Sequence, residues 1–130
     1  MDEEREDLEV PRILLIEDED HIALAIRLCL EREGYRVETA LDGLEGLEKA
    51  FSLRPSLILL DLRMPKMSGH LVLETLREDE RTKDIPVVVL TALSDVDEKE
   101  KALLEGAREY LIKPFAPKDL LTVVKRYLPE

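Results

Sequence analysis

The sequence has few of the residues that build disulfide or imidazole sites. Among 130 residues it has one cysteine, two histidines and no tryptophan. A single cysteine excludes an internal disulfide, and Cys29 falls at helical spacing with Ile22 and Ile26, which predicts an unreactive core thiol. Neither His21 nor His70 has a second imidazole at ligand spacing. We therefore do not expect a histidine-based metal site.

The chain also lacks long apolar runs and an excess of positive charge. No stretch approaches the roughly 20 apolar residues of a membrane-spanning helix. The 19 Lys and Arg residues are outnumbered by 30 Asp and Glu residues, and the net charge of −11 argues against contact with a nucleic acid backbone. The strongly acidic segment Met1 to Glu9 is the opposite of a secretory or transit signal. We expect a cytoplasmic protein with no membrane and no direct nucleic acid partner.

At 14.9 kDa and 45% hydrophobic residues, the chain has the size and composition of a single globular domain. Residues 1–10 are predicted to be a disordered acidic arm. Residues 11–130 are predicted to form the domain, with no repeat and no internal linker.

Five strand patterns alternate with five helical patterns along the chain. Three of the strand patterns are continuous apolar runs, which are typical of strands buried on both faces of a parallel sheet. The second is alternating and the fifth is short, so both suit the edges. This predicts a doubly wound α/β fold with strand order 2-1-3-4-5. The predicted strands are Arg12–Glu17, Arg36–Thr39, Leu57–Leu60, Pro86–Thr91 and Glu109–Ile112, and the predicted helices are Asp20–Glu33, Gly43–Phe51, Gly69–Arg77, Val96–Leu104 and Pro117–Tyr127.

Charged or hydroxyl residues stand where four of these strands end. Glu17 and Asp18 follow the first strand, and Asp61 follows the third. Thr91 ends the fourth, and Lys113 follows the fifth. Because the carboxyl ends of parallel strands face one crevice, three carboxylates, a hydroxyl and an ammonium should converge there.

Neighbouring carboxylates repel one another unless a cation or protons neutralise them, and oxygen ligands favour Mg²⁺. We expect Asp18 and Asp61 to bind it directly and Glu17 to reach it through water. The backbone carbonyl of Arg63 is a further candidate ligand. The alternative is that the acids of Glu17–Asp20 form a charged turn that caps the next helix.

Asp61 beside a bound cation could act as a nucleophile towards a phosphoryl group and form an acyl phosphate. Lys113 would then neutralise phosphoryl oxygens, and Thr91 could donate a hydrogen bond to one of them. Each residue also has a structural interpretation. A threonine at a strand end is often a satisfied edge residue, and a lysine that faces acids can be a structural ion pair.

Together these motifs resemble the receiver domain of two-component response regulators, in particular the single-domain chemotaxis regulators. The resemblance covers residues 11 to 128, and the order and spacing of the motifs agree as well as their residue types. The matching segments are Ile13–Asp18, Asp61–Pro65 with Gly69, Thr91 with Ala92, Gly106 with Ala107, Tyr110, and Lys113–Phe115.

The resemblance implies a flavodoxin-like fold, and it implies that Asp61 accepts a phosphoryl group from a sensor histidine kinase in a Mg²⁺-dependent reaction. It also implies a cis peptide between Lys113 and Pro114. Phosphorylation would draw Thr91 towards the phosphate, and Tyr110 would swing inward. The face built from helix 4, strand 5 and helix 5 would then be remodelled to control a protein partner or a fused output domain. Such a protein is a phosphoacceptor that catalyses its own phosphoryl transfer and slow dephosphorylation, rather than an enzyme.

The sequence departs from the family pattern at a few positions. Glu17 replaces the first Asp of the acidic pair, which is a frequent variant. Arg108 and Glu109 stand where a DNA-binding subfamily has two acids, which argues against the dimer that this subfamily forms. Arg63 and Leu93 occupy two positions that tune phosphate lifetime in the family.

Three other functions remain as alternatives. A flavodoxin-like cofactor binder would need a first loop that accepts an anionic phosphate, and Glu17–Asp20 would repel one. A haloacid-type phosphatase would need an Asp where Arg63 stands. A receiver that binds partners without phosphorylation usually lacks the acceptor, an acid or the lysine, and this chain has all of them. The pattern fits both a domain that acts by itself and a piece of a longer regulator.

The side chain of Leu93 is expected to shield the acyl phosphate partly from attacking water. Leu93→Ala should therefore release phosphate faster than the wild type does. The decay of the phosphorylated protein, followed by intact mass, checks this, and an unchanged rate would contradict it.

Overall fold

The computed structural model describes residues 12–92 and 96–128. Five parallel strands form one sheet in the order β2-β1-β3-β4-β5, and five helices connect and cover them. The predicted fold class and strand order are confirmed. The strands are β1 (Arg12–Ile16), β2 (Arg36–Ala40), β3 (Leu57–Asp61), β4 (Val87–Ala92) and β5 (Glu109–Lys113), and the helices are α1 (Asp20–Glu31), α2 (Gly43–Leu53), α3 (Gly69–Glu78), α4 (Val96–Leu104) and α5 (Pro117–Tyr127).

Two predictions fall on positions outside the described residues. These are the acidic arm of residues 1–10 and the shielding role of Leu93. Within the described part of the chain, every helix is too short or too polar to cross a membrane.

The strands follow the predicted division into centre and edge. All five residues of β3 are buried, whereas β2 and β5 are only partly buried. The parallel register places Ile16 beside Leu60, and Asp61 beside Leu90. The carboxyl ends of β1, β3 and β4 therefore meet at one edge of the sheet.

The core has two layers because alternate residues of each buried strand face opposite sides of the sheet. Ile13 and Leu15 of β1 pack with α1 and α5 on one side. Leu14 and Ile16 pack with α2, α3 and α4 on the other side. Cys29 is partly buried against the first of these layers.

The ends of the helices differ from the predicted ones by up to two residues. Helix α1 ends at Glu31 rather than Glu33, and the turn that follows contains Gly34 at φ +90°. Helix α2 begins after Asp42, whose side chain accepts a hydrogen bond from the Glu45 N–H at 2.9 Å. Such caps satisfy backbone donors that the first helical turn leaves unpaired.

Two helices begin with a glycine that is pressed against neighbouring atoms. A Cβ at Gly69 would lie 2.6 Å from the Leu62 Cα and 2.7 Å from the Asp61 carbonyl oxygen, both backbone atoms. A Cβ at Gly43 would instead meet side chains, at 2.8 Å from Val72 and 2.9 Å from the Met67 sulfur. The close approach at Gly69 holds α3 against the backbone that follows β3.

Gly69→Ala should destabilise the protein more than Gly43→Ala, because backbone can yield less than side chains can. We expect a loss of about 2 kcal/mol in the free energy of unfolding for Gly69→Ala and a smaller loss, of about 1 kcal/mol, for Gly43→Ala. Urea unfolding of both variants checks the difference. Equal losses would mean that the segment after β3 can shift freely.

Candidate functional site

The predicted site residues lie together at the carboxyl edge of the sheet. Glu17 directly follows β1, Asp61 ends β3, Thr91 lies near the end of β4, and Lys113 ends β5. They share a cavity of about 250 Å³. The lining residues are Glu17, Asp18, Glu19, Ile22, Asp61, Arg63, Thr91, Ala92 and Lys113.

Three of the carboxylates that line this cavity, those of Glu17, Asp18 and Asp61, lie close together. Glu17 is fully buried, Asp61 is 4% exposed, and Asp18 is partly buried. One oxygen from each of the three lies within 4.8 Å of the others, a spacing at which they could hold one metal ion. The Arg63 N–H donates a hydrogen bond to Asp61 Oδ1 at 3.1 Å. This bond orients the Asp61 carboxylate from the loop that follows it.

The surroundings of Asp61 disfavour its charged form. Burial raises the pKa of Asp61 to about 7, and the neighbouring Glu17 carboxylate adds to the effect. The Lys113 ammonium and the Arg63 N–H act in the opposite direction. Burial and the Glu17 charge together therefore outweigh the effect of the lysine on the pKa of Asp61.

Lys113 is the cation that contacts the carboxylates of Glu17 and Asp61. Its ammonium is 2.8 Å from Glu17 Oε1 and 3.5 Å from Asp61 Oδ1. Burial lowers the pKa of Lys113, but the hydrogen bond with Glu17 and the charges of Asp61 and Glu17 outweigh this and raise it above its usual value. The peptide bond from Lys113 to Pro114 is cis, as the resemblance implied.

Thr91 and Tyr110 lie on neighbouring strands. Thr91 is 3% exposed, and its hydroxyl is 3.5 Å from the Ala92 carbonyl oxygen, the outer limit of a hydrogen bond. The ring of Tyr110 is 37% exposed, and the Lys99 ammonium lies 4.6 Å from its centroid. This is a cation–π contact between α4 and β5.

Sequence reasoning missed some contacts of the site. Glu19 lines the cavity, and its N–H donates to Glu17 Oε2 at 3.3 Å. Ile22 of α1 provides an apolar wall. The acidic run Glu17–Asp20 was the available signal for Glu19. Ile22 was assigned only to the core. Helical spacing shows that it lies on the apolar face of α1, but not that this part of the helix borders the cavity at the edge of the sheet.

Comparison with known proteins gives one family. The response regulator receiver domain family matches residues 13–125. One relative is the DNA-binding dual master transcriptional regulator RpaA of Synechocystis sp., which is 44% identical over 119 residues. The match covers 92% of this chain and 49% of RpaA. The chain therefore spans about half the length of this relative.

Solved structures are similar over nearly their whole length. The chemotaxis protein CheY4 of Vibrio cholerae has a TM-score of 0.85 and 33% identity, with 91% of this chain and 98% of that chain covered. The receiver domain of the sensor histidine kinase PA1611 of Pseudomonas aeruginosa has a TM-score of 0.85 and 30% identity, with 93% and 99% covered. That structure has a magnesium ion coordinated in its active site cleft.

The family match spans most of the chain, and the relative and the solved structures described above support the same family. This chain belongs to the response regulator receiver domain family.

Proposed function

We propose that this domain is a phosphorylation-controlled switch whose acceptor is Asp61. The observation that supports this most is the convergence of three carboxylates and one ammonium around a buried aspartate at the end of a central strand. A nucleophilic carboxylate needs a neighbouring cation to stabilise phosphoryl oxygens, and Lys113 is within 3.5 Å of Asp61.

The donor set fits Mg²⁺. All three side chains offer oxygen, and two of them are almost completely buried. Asp18 and Asp61 would bind the ion directly, Glu17 would act through water, and the Arg63 carbonyl would supply another oxygen. When bound, Mg²⁺ would neutralise the carboxylates and the phosphoryl oxygens.

Phosphoryl transfer then requires little more than positioning. An Asp61 carboxylate oxygen attacks the phosphorus of a phosphohistidine on a sensor kinase or phosphotransfer protein. The new P–O bond forms as the P–N bond breaks, and the leaving imidazole nitrogen keeps the electron pair and takes a proton from solvent. Lys113 exchanges part of its contact with Glu17 for a phosphoryl oxygen. Attack by water on the acyl phosphate later restores Asp61 and releases phosphate.

Two further residues, Thr91 and Tyr110, would transmit the phosphorylation of Asp61 to the surface of the domain. Thr91 donates its hydroxyl to a phosphoryl oxygen, which its weak contact with Ala92 leaves it able to do. Tyr110 leaves its partly exposed position and moves inward, which breaks the contact with Lys99. The face formed by α4, β5 and α5 then changes shape for a partner.

That partner is a downstream protein or an output domain joined to this one. RpaA is described as DNA-binding, and it is about twice as long as the matched region. For the present 130 residues the net charge of −11 still predicts no direct contact with nucleic acid. The division into an acidic arm and a domain from residue 11 onward also remains a proposal.

Incubation with acetyl phosphate and Mg²⁺ should add one phosphoryl group to the protein, as measured by intact mass. Asp61→Asn and removal of Mg²⁺ by EDTA should each abolish the gain. Asp84→Asn, an exposed aspartate outside the cavity, is the matched control and should be phosphorylated like the wild type. No gain in wild-type protein that binds Mg²⁺ would contradict the proposal and favour a module that acts without phosphorylation.

The raised pKa of Asp61 gives a pH dependence of stability. From its usual value of 3.8 up to about 7, the folded state holds a proton that the unfolded chain has released. The free energy of unfolding therefore falls as the pH rises through this range. The side chain of Asn does not titrate, so Asp61→Asn does not lose stability in this way. Without divalent metal at about pH 8, its free energy of unfolding should exceed that of the wild type by on the order of 2 kcal/mol.

Urea unfolding in EDTA checks this expectation. The advantage of Asp61→Asn should disappear below about pH 4, where the aspartate is protonated in both states. Mg²⁺ should reduce the advantage at higher pH because it stabilises the folded wild type. An advantage that is independent of pH would contradict the assignment, and Asp84→Asn should show none.

A further inference from the structure

His70 is a buried histidine between two glutamates. It lies near the start of α3 with 8% of its surface exposed. Its Nδ1 is 2.6 Å from Glu105 Oε1, and its Nε2 contacts Glu98 Oε2. Sequence spacing gave no sign of this arrangement, since the partners are 28 and 35 residues away.

The contacts of His70 with two glutamates fit one protonation state of its imidazole ring. A carboxylate can only accept hydrogen bonds, and a neutral imidazole has one N–H to donate. Both contacts are hydrogen bonds only when both ring nitrogens carry hydrogen, which is the charged imidazolium. The two bonds are then charge-assisted, and these are stronger than neutral ones.

The two glutamates lie at opposite ends of one helix. Glu98 is in the first turn of α4, and Glu105 directly follows its last residue, Leu104. The two are seven residues apart, two helical turns along the same face. One side chain of α3 therefore holds both ends of α4.

The described side chains of α4 make little apolar contact that could hold the helix otherwise. Of its side chains that the structure describes, those from residue 97 to residue 104, Ala102 is the buried one. Leu103 and Leu104 are 41% and 89% exposed. A methyl group buries little area, so the polar contacts make up an unusual share of the packing of this helix.

Other charged groups near the clamp have different positions or partners. Arg77 of α3 donates to the carbonyl oxygens of Lys83 and Ile85, and Lys99 lies over Tyr110. Arg63, from the loop after β3, lines a neighbouring cavity together with Glu98. Further charged side chains on α3, on α4 and after it are exposed; these are Glu74, Glu78, Asp97, Glu100, Lys101 and Arg108.

We propose that protonated His70 is a clamp that holds both ends of α4 against α3, and that its release loosens the face built from α4, β5 and α5. The second half of this inference rests on the proposed switch function, because α4 belongs to the face that would respond to phosphorylation. Loss of the proton removes one of the two bonds. The position of α4 is thus linked to pH as well as to the state of Asp61.

Amide hydrogen exchange of α4 tests the clamp. His70→Leu keeps an apolar side chain at the position and removes both contacts, so α4 amides should exchange about tenfold faster than in wild type at about pH 6. Glu98→Gln and Glu105→Gln should give smaller increases. Glu100→Gln, an exposed glutamate of the same helix, should give none. Wild-type rates in His70→Leu would overturn the clamp.

The pH profile separates proton linkage from a merely structural contact. After correction for the intrinsic exchange rate, protection of wild-type α4 should fall as the pH is raised and the imidazolium loses its proton. His70→Leu should lack this step, and His21→Gln, which removes the other histidine, should keep it. A step that persists in His70→Leu would overturn the linkage.

Phosphoryl uptake is measured on the same proteins. His70→Leu should still gain one phosphoryl group from acetyl phosphate, because the acceptor site is intact. Phosphorylation should lower the amide protection of α4 in the wild type, and unphosphorylated His70→Leu should already show this lowered protection. Protection of α4 in unphosphorylated His70→Leu that equals that of the unphosphorylated wild type would overturn the coupling. Failure of uptake in every protein would contradict the proposed function, while the exchange data would still test the clamp.

Discussion

The Lys113 ammonium holds together a cluster of buried acids that would otherwise repel one another. Glu17 is fully buried at the end of β1, and Asp61 is nearly so at the end of β3. Their mutual repulsion is reduced by a cation that arrives from β5, two strands away from Asp61. The site therefore exists only if the sheet holds the carboxyl ends of β1, β3 and β5 in fixed positions.

The neutralisation is incomplete, and this explains the properties of the site. Burial, and after it the charge of Glu17, raises the pKa of Asp61 to about 7 although Lys113 lies within 3.5 Å. A site with uncompensated buried negative charge favours a cation, and the Lys113 ammonium lies close enough to Asp61 to contact a new anion there. Both tendencies suit the phosphoryl transfer that we propose for Asp61. The same excess charge lowers the stability of the domain, and this is the cost of a reactive site.

Much of this arrangement could be predicted from the sequence because it depends on short segments. Continuous apolar runs identified β1, β3 and β4 as central strands, and the residues that end them had to share an edge. Contacts between distant segments could not be predicted in this way. The partners of His70 depend on how α4 lies against α3, and the contact of Lys99 with Tyr110 depends on the geometry of two side chains on different elements. The protonation of Asp61 depends on burial, which spacing does not measure.

Glu109 accepts hydrogen bonds from the Arg126 guanidinium and, at 2.7 Å, from the Tyr127 hydroxyl. These bonds join the start of β5 to the end of α5 within one chain. Related receivers in one cell share a fold and can pair with the wrong partner when complementary charges are exposed on this face. Charges that are already matched inside the chain offer less to a foreign receiver. The internal pairing of Glu109 thus leaves fewer unmatched charges where β5 meets α5, whereas charged side chains of α4 such as Asp97, Glu100 and Lys101 stay exposed.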